Sequence, residues 1–303
     1  MKAPCFLAAA LAAAGLVLAA AATADELTAS SPAKVTLRYK FQPGETLRWE
    51  VVQRTKVKTS ALGNTQMAET VTKSIKAWRV ENVEPNGAAT FVNSVESVDL
   101  WQKISGRQEE RYNSQTDREP PPGFKNMAES VGVPLSTITM DATGQILHRS
   151  GTSKAHTVDN EGQITIQLPK EPVAVGESWS MPYQIDVPYG TAGAVKKIKT
   201  AQKYTLLSLK TGIATIEMVT QILTPVHDPA IEAQLIQREQ NGTVRFDVDA
   251  GRVVSQQIDV DKQVVGFSGE ASSLHYLTRF TEELLPAASR TASREKPSES
   301  KTE

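Results

Sequence analysis

Two long runs joined by a short turn decide the fold: residues 196–209 (KKIKTAQKYTLLSL), Thr211-Gly212, and residues 213–223 (IATIEMVTQIL). Both runs are longer than an ordinary strand of about 5–6 residues. Glycine tolerates the positive φ that a tight hairpin turn requires. The stretch therefore predicts a long β-hairpin, and long hairpins suit a curved sheet or half-barrel.

Alternation of apolar and polar residues extends this signal along the chain. Apolar side chains occupy every second position in residues 35–41, 47–51 and 164–168, and the same rhythm recurs in residues 274–280 with Thr278 at one of the positions. Each predicted strand thus has one apolar and one polar face. Because such one-sided burial favours antiparallel pairing, we expect a mainly β protein of antiparallel long-hairpin sheets, arranged as a curved sheet, a half-barrel or a sandwich.

One helix is expected, after the break at residues 120–123 (PPPG). Prolines disfavour continuation of a strand and restrict the residue that precedes them. The pattern after the break predicts a helix over residues 124–131, which is the only helix that we expect in the chain.

The first 24 residues have the pattern of a removable signal peptide. Lys2 precedes an apolar run over residues 6–22, and Ala22-Thr23-Ala24 provides a small-x-small cleavage pattern before Asp25. A retained membrane anchor is the alternative, because the run approaches the roughly 20 residues that cross a bilayer. We expect cleavage, export to the periplasm or the extracellular space, and no membrane span in the mature chain.

Cys5 is the only cysteine, and it lies within the predicted signal peptide. The mature chain would contain no thiol, which excludes disulfides, thiolate metal sites and cysteine nucleophiles. Cleavage removes one of the 33 basic residues and none of the 34 acidic residues. This nearly balanced charge gives no support for a nucleic-acid partner or for an anionic membrane surface.

Composition predicts the domain boundaries. A Ser/Thr/Ala-rich lead-in should be mobile, and a C-terminal tail without large apolar residues should be disordered. The expected organisation is a signal peptide (1–24), a flexible lead-in (25–33), a first β unit (34–150), a connecting segment (151–162), a second β unit (163–285) and a disordered tail (286–303).

The two β units resemble one another in sequence. Residues 43–47 (PGETL) match residues 175–179 (VGESW), and further pairs follow in the same order: 78–80 with 204–206, 89–91 with 214–216, and 140–147 with 246–254. Chance likeness between two hairpins is the alternative. We interpret the pattern as an internal duplication, and the junction of the two units is then the default place for a ligand.

Four stretches carry a family resemblance: residues 41–50 (FQPGETLRWE), 119–123 (EPPPG), 131–135 (VGVPL) and 175–179. Together they resemble an uncharacterised family of exported bacterial β-rich proteins, a domain of unknown function. The resemblance extends over most of residues 35–285. It implies export and a β fold, and it implies no activity, ligand or catalytic residue.

Recognisable catalytic and metal-binding patterns are missing from the sequence. The histidines at positions 148, 156, 227 and 275 lack the spacing of paired metal ligands. His227 lies between two prolines, and it could be a positioned acid or base or an exposed loop residue. The serine-nucleophile and phosphate-loop signatures do not occur. An Asp-rich stretch at residues 247–251 has Ile258 where a calcium loop needs Glu, so it predicts a turn.

We therefore predict no catalytic, cofactor-binding or metal-binding residues and no cofactor. The four tryptophans could line a groove, although core packing is the commoner role; they are Trp49, Trp78, Trp101 and Trp179. The leading hypothesis is a non-catalytic protein of the cell envelope that binds an apolar small molecule or an envelope or surface protein. A self-assembling structural protein and a hydrolase with an unrecognised site are the alternatives.

Overall fold

The structure, a computed structural model, describes residues 33–151, 163–190 and 193–287. The predicted signal peptide, lead-in, connecting segment and tail lie outside these ranges, except for Ala33, Gly151 and residues 286–287. His156 also lies outside them. No helix in the described ranges is long and apolar enough to cross a membrane.

Twelve strands dominate the described chain. They are β1 (Thr46–Ala61), β2 (Asn64–Val83), β3 (Ala89–Ile104), β4 (Glu110–Asn113), β5 (Pro134–Met140), β6 (Ile146–Ser150), β7 (Ser178–Tyr189), β8 (Ala194–Lys210), β9 (Ile213–Ile222), β10 (Asn241–Asp247), β11 (Arg252–Val265) and β12 (Ser273–Leu284). A 3-10 turn (Pro122–Phe124) leads into helix α1 (Lys125–Glu129), and helix α2 (Pro229–Leu235) continues into a second 3-10 turn (Ile236–Arg238).

All strands belong to one antiparallel sheet. Its order is β6-β5-β3-β2-β1-β12-β11-β10-β9-β8-β7, with β4 paired to β3. The sheet is not closed into a barrel, and β6 and β7 are its two edges. The prediction of a mainly β, antiparallel fold is confirmed, and the sandwich alternative is wrong because the described strands form a single sheet.

Tight turns explain the long hairpins. Leu62 and Gly63 join β1 to β2 with φ values of 51° and 78°, and Thr211 and Gly212 join β8 to β9 with φ values of 47° and 78°. Two consecutive residues with positive φ give a turn whose twist matches that of the flanking strands. The hairpin predicted from residues 196–223 is confirmed.

The sheet is curved, with a concave face that encloses the core. Trp78 on β2, Met140 on β5, Tyr204 on β8 and Phe246 on β10 belong to one buried cluster. Strands so far apart in the sheet order can share a core only if the sheet bends around it. The interior of this bend positions the candidate site.

Two predicted strands are instead extended segments that run through the concave interior. Residues 35–41 and 164–168 keep their alternating burial, but they join no ladder of the sheet. Tyr39 donates its backbone N–H to the backbone oxygen of Ala142 at 2.8 Å. Leu168 donates its backbone N–H to the backbone oxygen of Thr143, in the same turn, at 2.7 Å. The strand prediction is wrong here: Val35 forms one isolated antiparallel bridge with Val173, and turn residues supply the other backbone partners.

The predicted helix at residues 124–131 is found as α1, which is shorter than expected. Phe124 and Met127 pack against Leu100 of β3 in a small cluster of their own. The expectation that the chain has no other helix is wrong, since α2 was missed. Its signal was present in the sequence: Asp228 accepts the backbone N–H of Ala230 at 2.8 Å, and proline follows at the first helical position.

The two β units share local geometry at the positions that match in sequence. Val80 donates its backbone N–H to Glu45 at 2.9 Å, and Leu206 donates to Glu177 at 3.0 Å. The β2–β3 ladder shifts register just after Val80, and the β8–β9 ladder shifts just after Leu206. Duplication itself stays a prediction, which these shared features favour.

Candidate functional site: a cavity on the concave face

A cavity of about 760 Å³ lies on the concave face of the sheet. Its wall is formed by strands β7, β8 and β9 on one side and by β11, β12 and β1 on the other. Residues 145–146, 163–167 and 237–240 complete it. The volume lies within the range of about 300–1,000 Å³ that is usual for small-molecule pockets.

The register of the strand ladders places several lining side chains in one row across the concave face. Tyr204 lies opposite Met218 in the β8–β9 ladder, and Ile258 lies opposite Phe280 in the β11–β12 ladder. Partners that lie opposite each other project from the same face of the sheet. Gly242 on β10 pairs with Met218 and Ile258, so the row has no side chain between them.

Only glycine fits at position 242. A Cβ atom built there would lie 2.3 Å from the backbone oxygen of Gln257, which no real side chain tolerates. The missing side chain leaves an interruption in the apolar wall, between the part made by β8 and β9 and the part made by β11 and β12.

Helix α2 and the turn that follows it cover one end of the cavity. Adjacent strands β9 and β10 could be joined by a short turn, yet residues 223–240 extend across the concave face. Ile231 and Leu235 pack against Ile198 of β8, and Ile236 packs in a separate cluster on β11 and β12. This cap is fixed at both ends by apolar contacts.

Residues 163–167 line the cavity on the side of the main core. The Tyr39 hydroxyl contacts Thr165 Oγ1 at 2.7 Å and donates to the backbone oxygen of Ile166 at 2.9 Å. Burial raises the pKa of Tyr39 far above its ordinary value, and burial likewise raises the pKa of Tyr204. Both phenols are therefore neutral hydrogen-bonding groups at any physiological pH.

Neutral amide groups dominate the polar part of the lining. The glutamines that contribute are Gln53, Gln145, Gln163, Gln167, Gln202, Gln237, Gln240 and Gln256. Arg238 is the one charged residue among the described lining residues. Burial raises the pKa of Tyr183, and the Thr220 side chain and the charge of Arg238 oppose that rise. The cavity thus combines apolar surface with uncharged donors and acceptors.

Gln202 has a buried donor without a partner. The residue is 8% exposed. Its Oε1 accepts a hydrogen bond from the Thr220 hydroxyl at 3.0 Å, and Thr220 Oγ1 accepts the backbone N–H of Gln240 at 3.1 Å. Gln202 Nε2, in contrast, has no hydrogen-bond partner within the described residues. Buried polar groups are nearly always paired, so this amide requires an explanation.

A buried ion pair lies beside the cavity. Glu282 of β12 is 3% exposed and is paired with Lys76 of β2 and with Gln256 of β11, which also lines the cavity. Lys76 Nζ lies 4.9 Å from the ring centroid of Trp49 and 5.0 Å from that of Trp78. The Glu282 carboxylate is therefore bound by the Lys76 ammonium and the Gln256 amide. The ammonium in turn lies over the rings of Trp49 and Trp78.

The three histidines in the described ranges take no part in this site. His148 and His227 are exposed, and His275 lies on the convex face, 2.7 Å from Asp261. Asp228, next to His227, caps α2. Within the described ranges no group of three or more His, Cys, Asp or Glu side chains could hold a metal ion. The absence of catalytic, cofactor-binding and metal-binding residues stays a prediction.

The tryptophans lie in or near the core rather than in the cavity lining of the described chain. Trp49 and Trp78 are buried, while Trp101 and Trp179 are half-buried. The glutamine residues of the cavity were missed from the sequence. A signal existed for Gln202, which occupies the same strand face as Ile198 and Tyr204 and is thus a polar residue in an apolar alternation.

Comparisons with known proteins give a family and two distant structures. The model of a family of unknown function (DUF6263) matches residues 155–263, from the connecting segment through most of the second β unit. The expected likeness to an uncharacterised family is confirmed for this part of the chain. No curated protein matches the sequence.

Two solved structures are similar at low identity. A structure of lipovitellin, described by its lipid–protein interactions, matches with 13% identity and a TM-score of 0.44 over 84% of this chain. That match spans only 27% of the lipovitellin chain. DynF, from the dynemicin biosynthesis pathway of Micromonospora chersina, matches with 6% identity and a TM-score of 0.20, over 84% of this chain and 86% of DynF. Both likenesses are too distant to bear on function.

Proposed function

We propose that this chain is an exported, non-catalytic binding protein that holds a small amphiphilic molecule in the cavity on its concave face. The single observation that carries the proposal is the cavity itself, about 760 Å³ in volume and lined by both apolar and amide side chains. The space is partly open to solvent, so a small molecule can reach the lining residues.

The lining favours an amphiphile over the purely apolar ligand expected from the sequence. Met218, Ile258 and Phe280 offer apolar contact, whereas the glutamines offer uncharged donors and acceptors. A wholly apolar ligand would leave these amides unpaired and buried, which costs free energy. A molecule with an apolar chain and a neutral polar end can satisfy both parts of the wall.

Export is supported by the pattern of residues 1–24. A mature chain recovered from the cell envelope should begin at Asp25 and contain no cysteine. Intact-mass measurement of the protein from fractionated cells tests this expectation, and a full-length chain that retains Met1 or Lys2 in the membrane fraction would contradict it.

Self-assembly through the sheet edge has less support. Edge strand β7 contains Pro182 and Pro188, opposite Ala201 and Val195 of β8. Proline has no N–H, so in a paired edge strand it occupies positions whose N–H would point away from the sheet. A neighbouring copy would find two of its backbone donors missing, which is a known protection against edge-to-edge pairing.

The test is native mass spectrometry of the mature chain purified from its own host without detergent. We expect a co-purifying neutral molecule. The Met218→Trp variant fills the cavity and should release it, whereas Glu217→Trp places the same bulk on the exposed opposite face of β9 and should retain it. A bare wild-type mass, or a ligand that survives Met218→Trp, would overturn the proposal.

A further inference from the structure

We infer that three protruding hairpin tips at one end of the sheet dock on the surface of an anionic phospholipid bilayer. The tips are the ends of the β1–β2, β7–β8 and β11–β12 hairpins. The inference goes beyond the proposed function and does not depend on the ligand of the cavity. It begins from the apolar side chains that these tips expose to solvent.

The strand registers place the three tips at the same end of the sheet. The ladders from β8 to β1 align one row of residues: Lys203, Val219, Asn241, Asp259, Arg279 and Arg54. Val195, Leu62 and Val265 lie six to eight residues beyond this row. Strands β9 and β10, which lie between, end within three residues of it. The tips therefore project past the middle of the sheet.

Each tip exposes apolar side chains. Leu62 is 90% exposed, and Tyr189, Val195 and Val265 are exposed as well. The β8–β9 turn, at the opposite end of the sheet, has the same geometry as the β1–β2 turn but has Thr211 in place of Leu62. A leucine with positive φ is strained, and asparagine, aspartate or glycine is the usual residue in such a turn. Folding alone therefore does not account for leucine at this tip.

The spacing of the tips suits a fluid surface better than a protein partner. In the sheet order β11 lies three strands from β8, and β1 lies five strands from β8. These steps correspond to about 14 Å and about 24 Å along the sheet. The tips thus form separate apolar points, whereas a protein partner usually binds a contiguous apolar patch. A bilayer interface accepts each side chain on its own, and tyrosine is enriched at that depth.

The charges of the three hairpins favour an anionic surface. Beyond the aligned row, four of their lysines have no ion pair within the described residues: Lys58, Lys196, Lys197 and Lys199. The acids there without an ion pair are Asp186 and Glu270. This excess of cations is local, because the charge of the whole chain is nearly balanced. Apolar insertion and lysine attraction to anionic lipids add to each other at a membrane surface.

Co-sedimentation of the mature chain with lipid vesicles tests the inference. We expect the wild type to bind vesicles of phosphatidylethanolamine and phosphatidylglycerol, and to bind vesicles of phosphatidylcholine less tightly. Leu62→Asn should weaken binding about tenfold, the effect of removing one leucine that enters the interface. Asparagine tolerates positive φ, so this variant should fold. Leu209→Asn removes an exposed leucine near the opposite end of β8 and should bind as the wild type does.

The electrostatic part is tested by a second pair of variants. Lys196→Gln should weaken binding to the anionic vesicles about fivefold and make it less dependent on salt. Lys210→Gln makes the same substitution at the opposite end of β8 and should change neither quantity. Equal salt dependence in both variants would contradict the assignment of an anionic surface.

The outcomes separate docking from uptake of lipid by the cavity. Met218→Trp fills the cavity and should still bind the vesicles, and Leu62→Asn should still carry the co-purifying molecule in native mass spectra. A wild type that binds no vesicles, or that binds them no more tightly than Leu62→Asn does, overturns the docking inference while the role of the cavity stands. Loss of vesicle binding in Met218→Trp, or a wild-type dimer that Leu62→Asn disrupts without any vesicle binding, overturns it as well.

Discussion

The concave face is packed around Trp78 of the first β unit, whereas it borders the cavity around Tyr204 of the second, although the two stretches match in sequence. Their matching turns, backbone hydrogen bonds and register shifts leave the side chains as the main difference. Lys76 and Trp78 occupy the positions that Gln202 and Tyr204 occupy in the second unit. Trp78 stacks on Phe91 at 4.6 Å, and Lys76 is paired with Glu282, so that side has no comparable space.

This difference teaches that backbone curvature alone does not produce a binding site. The concave face is packed where Trp78 and the Lys76–Glu282 ion pair face inward. It is open where Met181 and the glutamines of the cavity do.

Truncation should cost more in the first unit. Trp78→Ala removes a 2%-exposed side chain from an aromatic cluster and should lower the free energy of unfolding by about 3–5 kcal/mol. Tyr204→Ala should cost about half of that, because the vacated space joins a cavity that water already enters. Urea denaturation measures both values. Equal losses would show that the cavity is closed and dry.

Removal of Lys76 should leave the buried carboxylate of Glu282 without its cation. Lys76→Met leaves Glu282 with Gln256 alone and should destabilise the protein by about 3 kcal/mol. Lys76→Met/Glu282→Gln removes the charge as well, and it should be more stable than the single variant. The two substitutions together with the single Glu282→Gln form a double-mutant cycle. Additive effects in that cycle would mean that the pair contributes nothing.

Glu177 should make stability depend on pH. The backbone N–H of Ala174 and the Lys34 ammonium hold the pKa of Glu177 below its ordinary value of 4.5. A depressed folded-state pKa contributes stability that is complete above the ordinary pKa and is lost as the pH falls. Glu177→Gln should therefore flatten the decline in unfolding free energy below about pH 5. Glu217→Gln, on the exposed face of β9, is the control, and equal slopes for both variants would contradict the prediction.

Restoring backbone donors at the β7 edge should have the smallest effect. Pro182→Thr/Pro188→Thr returns two outward N–H groups, so we expect weak, concentration-dependent self-association in sedimentation velocity and little change in stability. Gln184→Thr introduces the same side chain on the same edge without a new donor and should stay unchanged. A double variant that sediments as the wild type does would show that the prolines do not protect the edge.

Local signals in the sequence predicted the hairpins well. Alternation and turn glycines identify β8 and β9 nearly to the residue, because both depend on neighbours along the chain. The same alternation was misleading at residues 35–41, where the burial is as expected but the backbone partners are turns and one isolated bridge, all more than a hundred residues away. Helix α2 was overlooked because it has only seven residues, although its cap was visible at Asp228.

The cavity could not be predicted, since it depends on contacts that no local pattern encodes. Gln202 and Phe280 line one space only because β12 lies between β1 and β11 and the sheet bends around the interior. The order of strands in the sheet is set by long-range pairing. A polar residue within an apolar alternation was the one trace of the site in the sequence.

The position of β12 has a consequence for the order of folding. Thr55 and Thr278 share a hydrogen bond at 2.9 Å although 223 positions separate them, and this strand joins the two β units. Within each β unit, most strands pair with the strand next to them in sequence. The pairing of β1 with β12, in contrast, requires closure of a loop of more than two hundred residues, which is slow. Until β12 docks onto β1, each of these two strands exposes an unpaired edge, which is a site where chains can aggregate.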